Sequence, residues 1–285
     1  MHNIAVLIAC HNRKEKTFSC LRAVFSQKAE ANIHVILVDD GSSDGTAEAV
    51  GREFPAVRII RGSGNLYWNR SMHIAFKTAL EGQYDNYLWL NDDTVLYPTA
   101  LGRLLKETSE LQSSHGNAII IAGSTVDSIT GKLTYGGVKR TSTWHPGRFE
   151  LIQPLSTKPV PCDTINGNCV LISHAAAQKV GNLDWHFIHA IGDFDYGLRA
   201  KKKGVPVFVS TGFVGVCSHN PEIGTWQDPS LSLMTRLRKK ESPKGLPFFP
   251  WLRFCVRHGG IAGIIASFLP YVNLVKSHIK YCNKV

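Results

Sequence analysis

The feature that most constrains this chain is an alternation, across residues 4–122, of short apolar runs rich in β-branched residues with longer segments of helical spacing. Runs at 4–10 and 35–38 flank a helical segment at 14–27, so the opening reads as β-α-β in a parallel sheet. Similar runs near 57–60, 87–91 and 118–122 alternate with helices expected near 44–54, 70–81 and 98–111. This pattern predicts an α/β fold: a doubly wound, mostly parallel sheet whose ligands sit beyond the carboxyl ends of the strands. From Gly123 onward the pattern changes to a small antiparallel element, a hairpin through 127–137 with Thr130-Gly131 at its turn. A stretch interrupted by Pro146, Pro154, Pro159 and Pro161 follows, then a strand at 166–172, a helix at 192–203 and a strand at 205–209. With 285 residues, one large domain over 1–228 and a helical C-terminal tail over 229–285 are the expected organisation.

The net charge of +10 invites a nucleic-acid reading, but its distribution argues otherwise. Positions 230–285 hold ten Lys or Arg against one acid, Glu241, whereas the first 229 residues hold 22 basic and 21 acidic residues. The bulk of the chain is therefore nearly neutral, no nucleic-acid partner is expected, and the tail's expected partner is an anionic membrane surface. Phe248, Phe249, Trp251, Phe254 and Phe268 lie among Arg253, Arg257 and other cations, as in an interfacial helix. The uninterrupted apolar run 259–271 falls short of the roughly 20 residues a spanning helix needs. A homodimer contact is the other use of such a face. Seven cysteines without a C-x-x-C pair, and an opening without a basic lead or cleavage site, predict a cytoplasmic protein peripheral on the inner face of the cell membrane.

Two acidic clusters close apolar strands. Asp39 and Asp40 precede Gly41-Ser42-Ser43-Asp44, where a carboxylate either caps the next helix or accepts the imide N–H of a uracil or thymine ring. Asn91-Asp92-Asp93-Thr94 ends the run at 87–91, and adjacent acids repel unless a cation lies beside them. Mg²⁺ or Mn²⁺ is the simplest such cation, because it takes one or two carboxylates and fills its other positions with phosphate oxygens and water. Asp193 opens the helix at 192–203, where a carboxylate can cap it, and Asp195 and Arg199 are spaced to pair on one helix face.

With the opening Ile8-Ala9-Cys10-His11-Asn12-Arg13, these clusters resemble the family 2 glycosyltransferases of the GT-A fold, over about residues 4–220. The resemblance implies that Ala9, Cys10, His11, Asn12, Arg13, Asp39 and Asp40 approach the nucleoside of a UDP- or dTDP-sugar. Asn91 stands where the family's metal motif has its first acid; Asp92 adjoins it, and Asp93 corresponds to the chief metal-binding acid. Gly62-Ser63-Gly64-Asn65 and Arg70 resemble the segment that approaches base and diphosphate, although Tyr67, Trp68 and Asn69 replace smaller residues. Gly192-Asp193-Phe194-Asp195, with Arg199 and Gly204, resembles the catalytic motif, so Asp193 is the expected base of an inverting transfer; Gly192 replaces an acid. His219, in Cys217-Ser218-His219-Asn220, is the expected second metal ligand, and Asn166, Gly167, Asn168, Trp185 and Asp195 are expected beside the sugar or acceptor. The activity implied is divalent-metal-dependent transfer of a hexosyl group onto a hydroxyl of a glycan or lipid-linked acceptor, in bacterial surface-polysaccharide assembly.

Two other readings stand beside this one. A sugar-nucleotide nucleotidyltransferase shares the architecture but opens with a glycine-rich basic loop, and residues 10–15 contain no glycine. A non-catalytic saccharide-binding protein of the same fold would keep the sheet without turnover.

Overall fold

A computed structural model describes residues 1–142, 144–219 and 221–283. Asn220, which ends the Cys217–Asn220 motif, and Lys284, counted in the tail charge, lie outside the described residues. The first half alternates as expected: β1 (His2–Cys10), α1 (Lys14–Phe25), β2 (Ala31–Asp39), α2 (Thr46–Glu53), β3 (Arg58–Arg61), α3 (Tyr67–Leu80), β4 (Asn86–Asn91), β5 (Val95–Leu96), α4 (Ala100–His115) and β6 (Ile120–Val126). The second half has shorter strands: β7 (Leu133–Tyr135), β8 (Gly137–Arg140), β9 (Phe149–Leu151), β10 (Val160–Pro161), β11 (Thr164–Ile165) and β12 (Cys169–Ser173). Then come α5 (His174–Val180), α6 (Gly192–Lys202), β13 (Val207–Val216) and the tail helices α7 (Leu233–Glu241), α8 (Phe248–Ala266) and α9 (Leu269–Cys282).

The main sheet has the order β10-β13-β6-β12-β4-β1-β2-β3. Strands β3, β2, β1 and β4 are parallel, β12 enters antiparallel between β4 and β6, and β13 runs parallel to β6. A separate antiparallel sheet, β11-β8-β9, covers the less regular half. Because β1 is apolar at every position from Ile4 to Ala9, it can be buried on both faces. Ile4, Val6 and Ile8 pack with Leu21, Leu101 and Leu104, while Ala5, Leu7 and Ala9 pack with Met72, Phe76 and Trp89 on the other side. The strand order reverses at β1, between β2 and β4, and that reversal opens the crevice where ligands of such sheets bind.

Some expected boundaries moved for identifiable reasons. Helix α3 begins at Tyr67 rather than near Arg70, because the Asp40 carboxylate accepts the N–H groups of Leu66 and Tyr67 from a distant loop. β13 continues to Val216, past a register shift after Val209 that the left-handed Gly212 (φ 54°) accommodates. The hairpin through 127–137 is present as β6 and β7, with Gly131 in the left-handed region at φ 65°.

The tail differs from its linear charge count. Arg236 and Lys240 are buried, not displayed: Arg236 donates to the Leu274 carbonyl and to Ser277, and Lys240 lies 3.7 Å from the Tyr271 ring centroid while donating to Glu241 and the Leu246 carbonyl. These bonds staple α7 to α9. Arg253 and Arg257 are paired with Asp184 and Asp195, so four of the tail's cations are internally engaged. One face of α8 packs Trp251, Phe254 and Cys255 against Phe187 and Leu198. Phe249 and Val256 are exposed before the non-helical Gly260, and Ile261, Ile264, Ile265, Phe268 and Val272 are exposed after it. Among the described residues no single helix is long and apolar enough to cross a membrane; α8 and α9 pass such a test only jointly and are bent by 46°.

Candidate active site

Sequence-predicted residues converge at the carboxyl ends of β1, β2 and β4. The first loop is tied to the second: Asn12 accepts the Ser43 N–H through its side chain and donates its own N–H to Ser42 Oγ, while His11 Nδ1 lies 2.6 Å from the Asp40 carbonyl oxygen. Ala9 and Cys10 form the buried end of β1. Asp39 is buried and accepts the Ser42 N–H at 2.9 Å. Asp40, expected at the nucleoside, instead accepts three backbone N–H groups, from Gly64, Leu66 and Tyr67 at 2.8 to 2.9 Å. It holds the 62–67 loop against β2. Asp40→Ala leaves those amides without an acceptor, and chemical denaturation should show a loss of about 2–4 kcal/mol.

The residues that depart from the family pattern are complementary to one another. Asn91, which replaces an acid, accepts the Trp68 indole N–H at 2.7 Å. The Trp68 ring lies over Gly167, where any Cβ would collide with it. Asn69 is fully buried and donates to the carbonyls of Asp184 and Phe187, and its Oδ1 occupies the space that a side chain at Gly192 would need. The large residues of α3 and the small residues at 167 and 192 thus form one packed unit.

Asp193 sits at the end of this unit, half-buried, with Oδ2 accepting the Gly167 N–H at 2.8 Å and Oδ1 accepting the Phe194 N–H at 2.9 Å. Burial pushes its carboxyl up to about 6 against the opposing pull of these N–H groups. That value suits a general base working near neutrality.

Arg13 answers the repulsion between the adjacent acids. Its Nη1 lies 3.2 Å from Asp92 and 2.9 Å from Asp93, with Lys16 at 3.7 Å from Asp93. Burial nevertheless drives the Asp92 carboxyl up to about 7, and its Oδ2 is buried with no partner among the described residues. A buried carboxylate oxygen without a proton donor beside a second carboxylate fits a hard divalent cation completed by phosphate oxygens. A preformed protein cage is absent: among the described residues no three His, Cys, Asp or Glu side chains are arranged to hold a metal ion. His219 is exposed, its ring tilted against that of Tyr135 with centroids 4.7 Å apart, and does not join Asp92 and Asp93 in such a cage. The residue that reaches Asp93 from this segment is Cys217, whose thiol lies 3.5 Å from Asp93 Oδ1 and is pushed up to about 11 by burial and by Asp93. Sequence reasoning passed over Cys217 because a buried thiol carries no motif.

In the loop before α6, Trp185 is 40% exposed, with the Arg70 guanidinium 5.1 Å from its ring centroid. Arg70 donates to the Trp185 carbonyl through Nε. Asn166 pairs with Gly136, Asn168 donates to the Cys217 sulfur and accepts the Asn91 N–H through its carbonyl, and Asn65 is exposed in the 62–67 loop. Asp195, expected beside a sugar, is fully buried, and its oxygens are taken by Arg199, Arg257 and His258 at 2.8 Å each. Burial would raise its carboxyl, but the His258 hydrogen bond and the two guanidiniums outweigh that and hold it below the ordinary range. His189, absent from the sequence expectations, stacks edge-on to Tyr67, and burial pushes it down to about 4.

Backbone strain marks the same region. Asn12 (φ 51°), Tyr67 (φ 58°) and Ile191 (φ 63°) are the non-glycine residues with positive φ among the described residues. They sit at the first loop, at the start of α3 and two residues before Asp193. Such conformations cost about 1–3 kcal/mol each and cluster at functional sites.

Comparison with known proteins is decisive on the family. The model of glycosyl transferase family 2 matches residues 5–181. The chain belongs to that family. This glycosyltransferase is 26% identical over 233 residues, 74% of each chain, to the N-acetylglucosaminyl-diphospho-decaprenol L-rhamnosyltransferase of Mycobacterium tuberculosis. Among solved structures, S. aureus TarS superposes with a TM-score of 0.55 at 13% identity, covering 77% of this chain and 37% of that one. GalNAc-T7, crystallised with UDP, GalNAc and Mn²⁺, gives 0.58 at 13% identity over 95% of this chain and 54% of that one. These likenesses establish the GT-A fold of the family 2 enzyme.

Proposed function

We propose that this glycosyltransferase moves a hexosyl group, with inversion, from a UDP- or dTDP-sugar to a hydroxyl of a lipid-diphosphate-linked saccharide in bacterial polysaccharide assembly. The observation that supports this reading is the chain of contacts from Asp193, whose carboxyl is pushed up to about 6, through the Gly167 N–H and the Trp68 ring over Gly167 to Asn91 at the end of β4. The similarity to a rhamnosyltransferase favours L-rhamnose as the sugar and a prenyl-diphosphate-linked acceptor.

In this mechanism Asp39 and the 9–13 loop bind the nucleoside, and Arg13 and Lys16 face the diphosphate. Asp93, with Asp92 beside it, would hold a Mg²⁺ or Mn²⁺ ion, with His219 as the candidate second ligand. A cation bound there neutralises charge on the departing nucleoside diphosphate. Trp185 offers a ring face to the acceptor. Asp193 takes the proton of the acceptor hydroxyl as its oxygen attacks the anomeric carbon from the side opposite the leaving group. The exposed apolar row of α8 and α9, flanked by Lys276 and Lys280, rests on an anionic leaflet of the cell membrane and brings the enzyme to its acceptor.

The test is a thermal-shift panel of nucleotide sugars with and without Mn²⁺, joined to flotation with anionic vesicles. dTDP-L-rhamnose or a UDP-hexose should raise Tm more with the ion than without it, and Ile265→Asp should reduce flotation. A panel in which no nucleotide sugar shifts Tm with either ion overturns the donor reading, and flotation unchanged in the variant overturns the membrane reading.

A further inference from the structure

Trp68 takes no step in the mechanism above, yet its side chain meets the site at both ends. It stands half-buried on the first turn of α3. At one end its indole N–H donates to Asn91 Oδ1 at 2.7 Å. An indole N–H can only donate, so the oxygen of the Asn91 amide must face it. Asn91 is itself fixed at the end of β4: its N–H donates to the Asn168 carbonyl and its carbonyl accepts the Thr94 N–H. At the other end the ring carbons Cζ2 and Cη2 lie against Gly167, where a Cβ would collide with both. The Gly167 N–H in turn donates to Asp193 Oδ2 at 2.8 Å, and Asp193 Cβ lies 3.4 Å from that same Cβ position.

The ring is held between these ends. Trp89, fully buried, packs edge-on to it with centroids 6.4 Å apart. The residue before it, Tyr67, lies in the left-handed region (φ 58°), with its N–H accepted by the Asp40 carboxylate. A non-glycine residue keeps that conformation only where its surroundings over-determine it. A plain core aromatic needs no partner at a strand end that carries site residues; the N–H of neighbouring Trp89 is buried with none among the described residues.

We propose that Trp68 is a positioning residue, a rigid spacer that holds the Gly167 N–H on Asp193 and so sets the base relative to the Asn91–Asp93 strand end. This rests on the reading of Asp193 as the base. In a one-step displacement with inversion, the attacking hydroxyl, the anomeric carbon and the leaving group fall on one line, and a misplacement of about 1 Å can cost about 10²-fold in rate. Trp68 spans from the carboxylate that takes the proton to the strand end proposed to meet the leaving group.

The first measurement needs no substrate: a carbon-13 NMR titration of the Asp193 carboxyl in the full chain, assigned through Asp193→Asn. Burial is the largest influence on that carboxyl, ahead of the Gly167 N–H. Trp68→Ala, which opens it to water, should therefore lower its midpoint from about 6 by at least about one pH unit. Trp68→Phe, a milder change, should move it in the same direction. Phe76→Leu, on the same helix and also against Trp89, should lower Tm without moving it. Turnover is read as nucleoside diphosphate released from dTDP-L-rhamnose or a UDP-hexose in the presence of a prenyl-diphosphate saccharide. Trp68→Ala should lower kcat about 10- to 10²-fold with the donor dissociation constant within about threefold of wild type. Gly167→Ala should be similarly impaired, and Trp68→Phe, which lacks Cζ2 and Cη2, should recover about tenfold of that loss in the double variant. An Asp193 midpoint unmoved in both Trp68 variants, or a double variant no better than Gly167→Ala, overturns the proposal. If the Trp68 variants move the midpoint but Asp193→Asn turns over fully, the base reading fails and the spacer stands. If Asp193→Asn is inactive while Trp68→Ala turns over like wild type with its midpoint unmoved, the spacer fails and the base reading stands.

Discussion

Asp193→Asn should lower kcat by about 10²- to 10⁴-fold while leaving the dissociation constant of the nucleotide sugar within about twofold of wild type. The substitution keeps the size of the side chain and one of the two oxygens that accept the Gly167 and Phe194 N–H groups, and removes the carboxylate proposed to take the proton. Wild-type kcat/KM should fall about tenfold per pH unit below about pH 6, where Asp193 becomes protonated, and the variant's residual rate should lack that limb. Steady-state kinetics across pH, with donor affinity measured separately, decide the matter; an asparagine variant with full turnover removes Asp193 from the chemistry. The same elevation affects stability. Because the folded-state value lies above the unfolded one, the stabilising contribution of Asp193 is fully present below about pH 4 and lost as pH rises through about 6. Asp92 behaves likewise, with its loss extending to about pH 7 in the absence of a bound cation.

The second large effect is expected at Asp93. Asp93→Ala removes the carboxylate proposed to face the diphosphate and leaves Asp92 alone with Arg13. Charge neutralisation by a bound cation is worth several kcal/mol, so kcat/KM in saturating Mn²⁺ should fall on the order of 10²- to 10³-fold. The gain in donor affinity on adding Mn²⁺ should disappear with it. Isothermal titration of donor with and without the ion measures this directly. A variant that keeps the full ion-dependent gain assigns the cation to other residues.

The contrast between Asp40 and Asp193 shows where sequence reading reached and where it stopped. Both are acids near strand or helix ends in recognisable motifs. Asp40 is consumed by three amides of a loop more than twenty residues away, and nothing local encodes that partner. Asp195 was equally ambiguous: its i, i+4 pairing with Arg199 was legible and is present, but Arg257 and His258 arrive from α8, more than sixty residues later. The departures at Trp68, Asn69, Asn91 and Gly192 looked like independent irregularities in the linear chain. In three dimensions the Trp68–Asn91 hydrogen bond and the Asn69–Gly192 close approach make them mutually compensating.

Sequence alone determined the alternating architecture, the strand ends that carry acids and the helix that opens at Asp193, because hydrophobic period and turn residues act over a few positions of the chain. Which acid is free for chemistry and which is bound up in structure was decided by tertiary contacts. So were the turning of Arg70 toward Trp185 and the placement of Cys217, rather than His219, against Asp93. The physical reason is that a buried polar group must find a partner wherever the fold brings one, and long-range partners leave no periodic trace in the sequence.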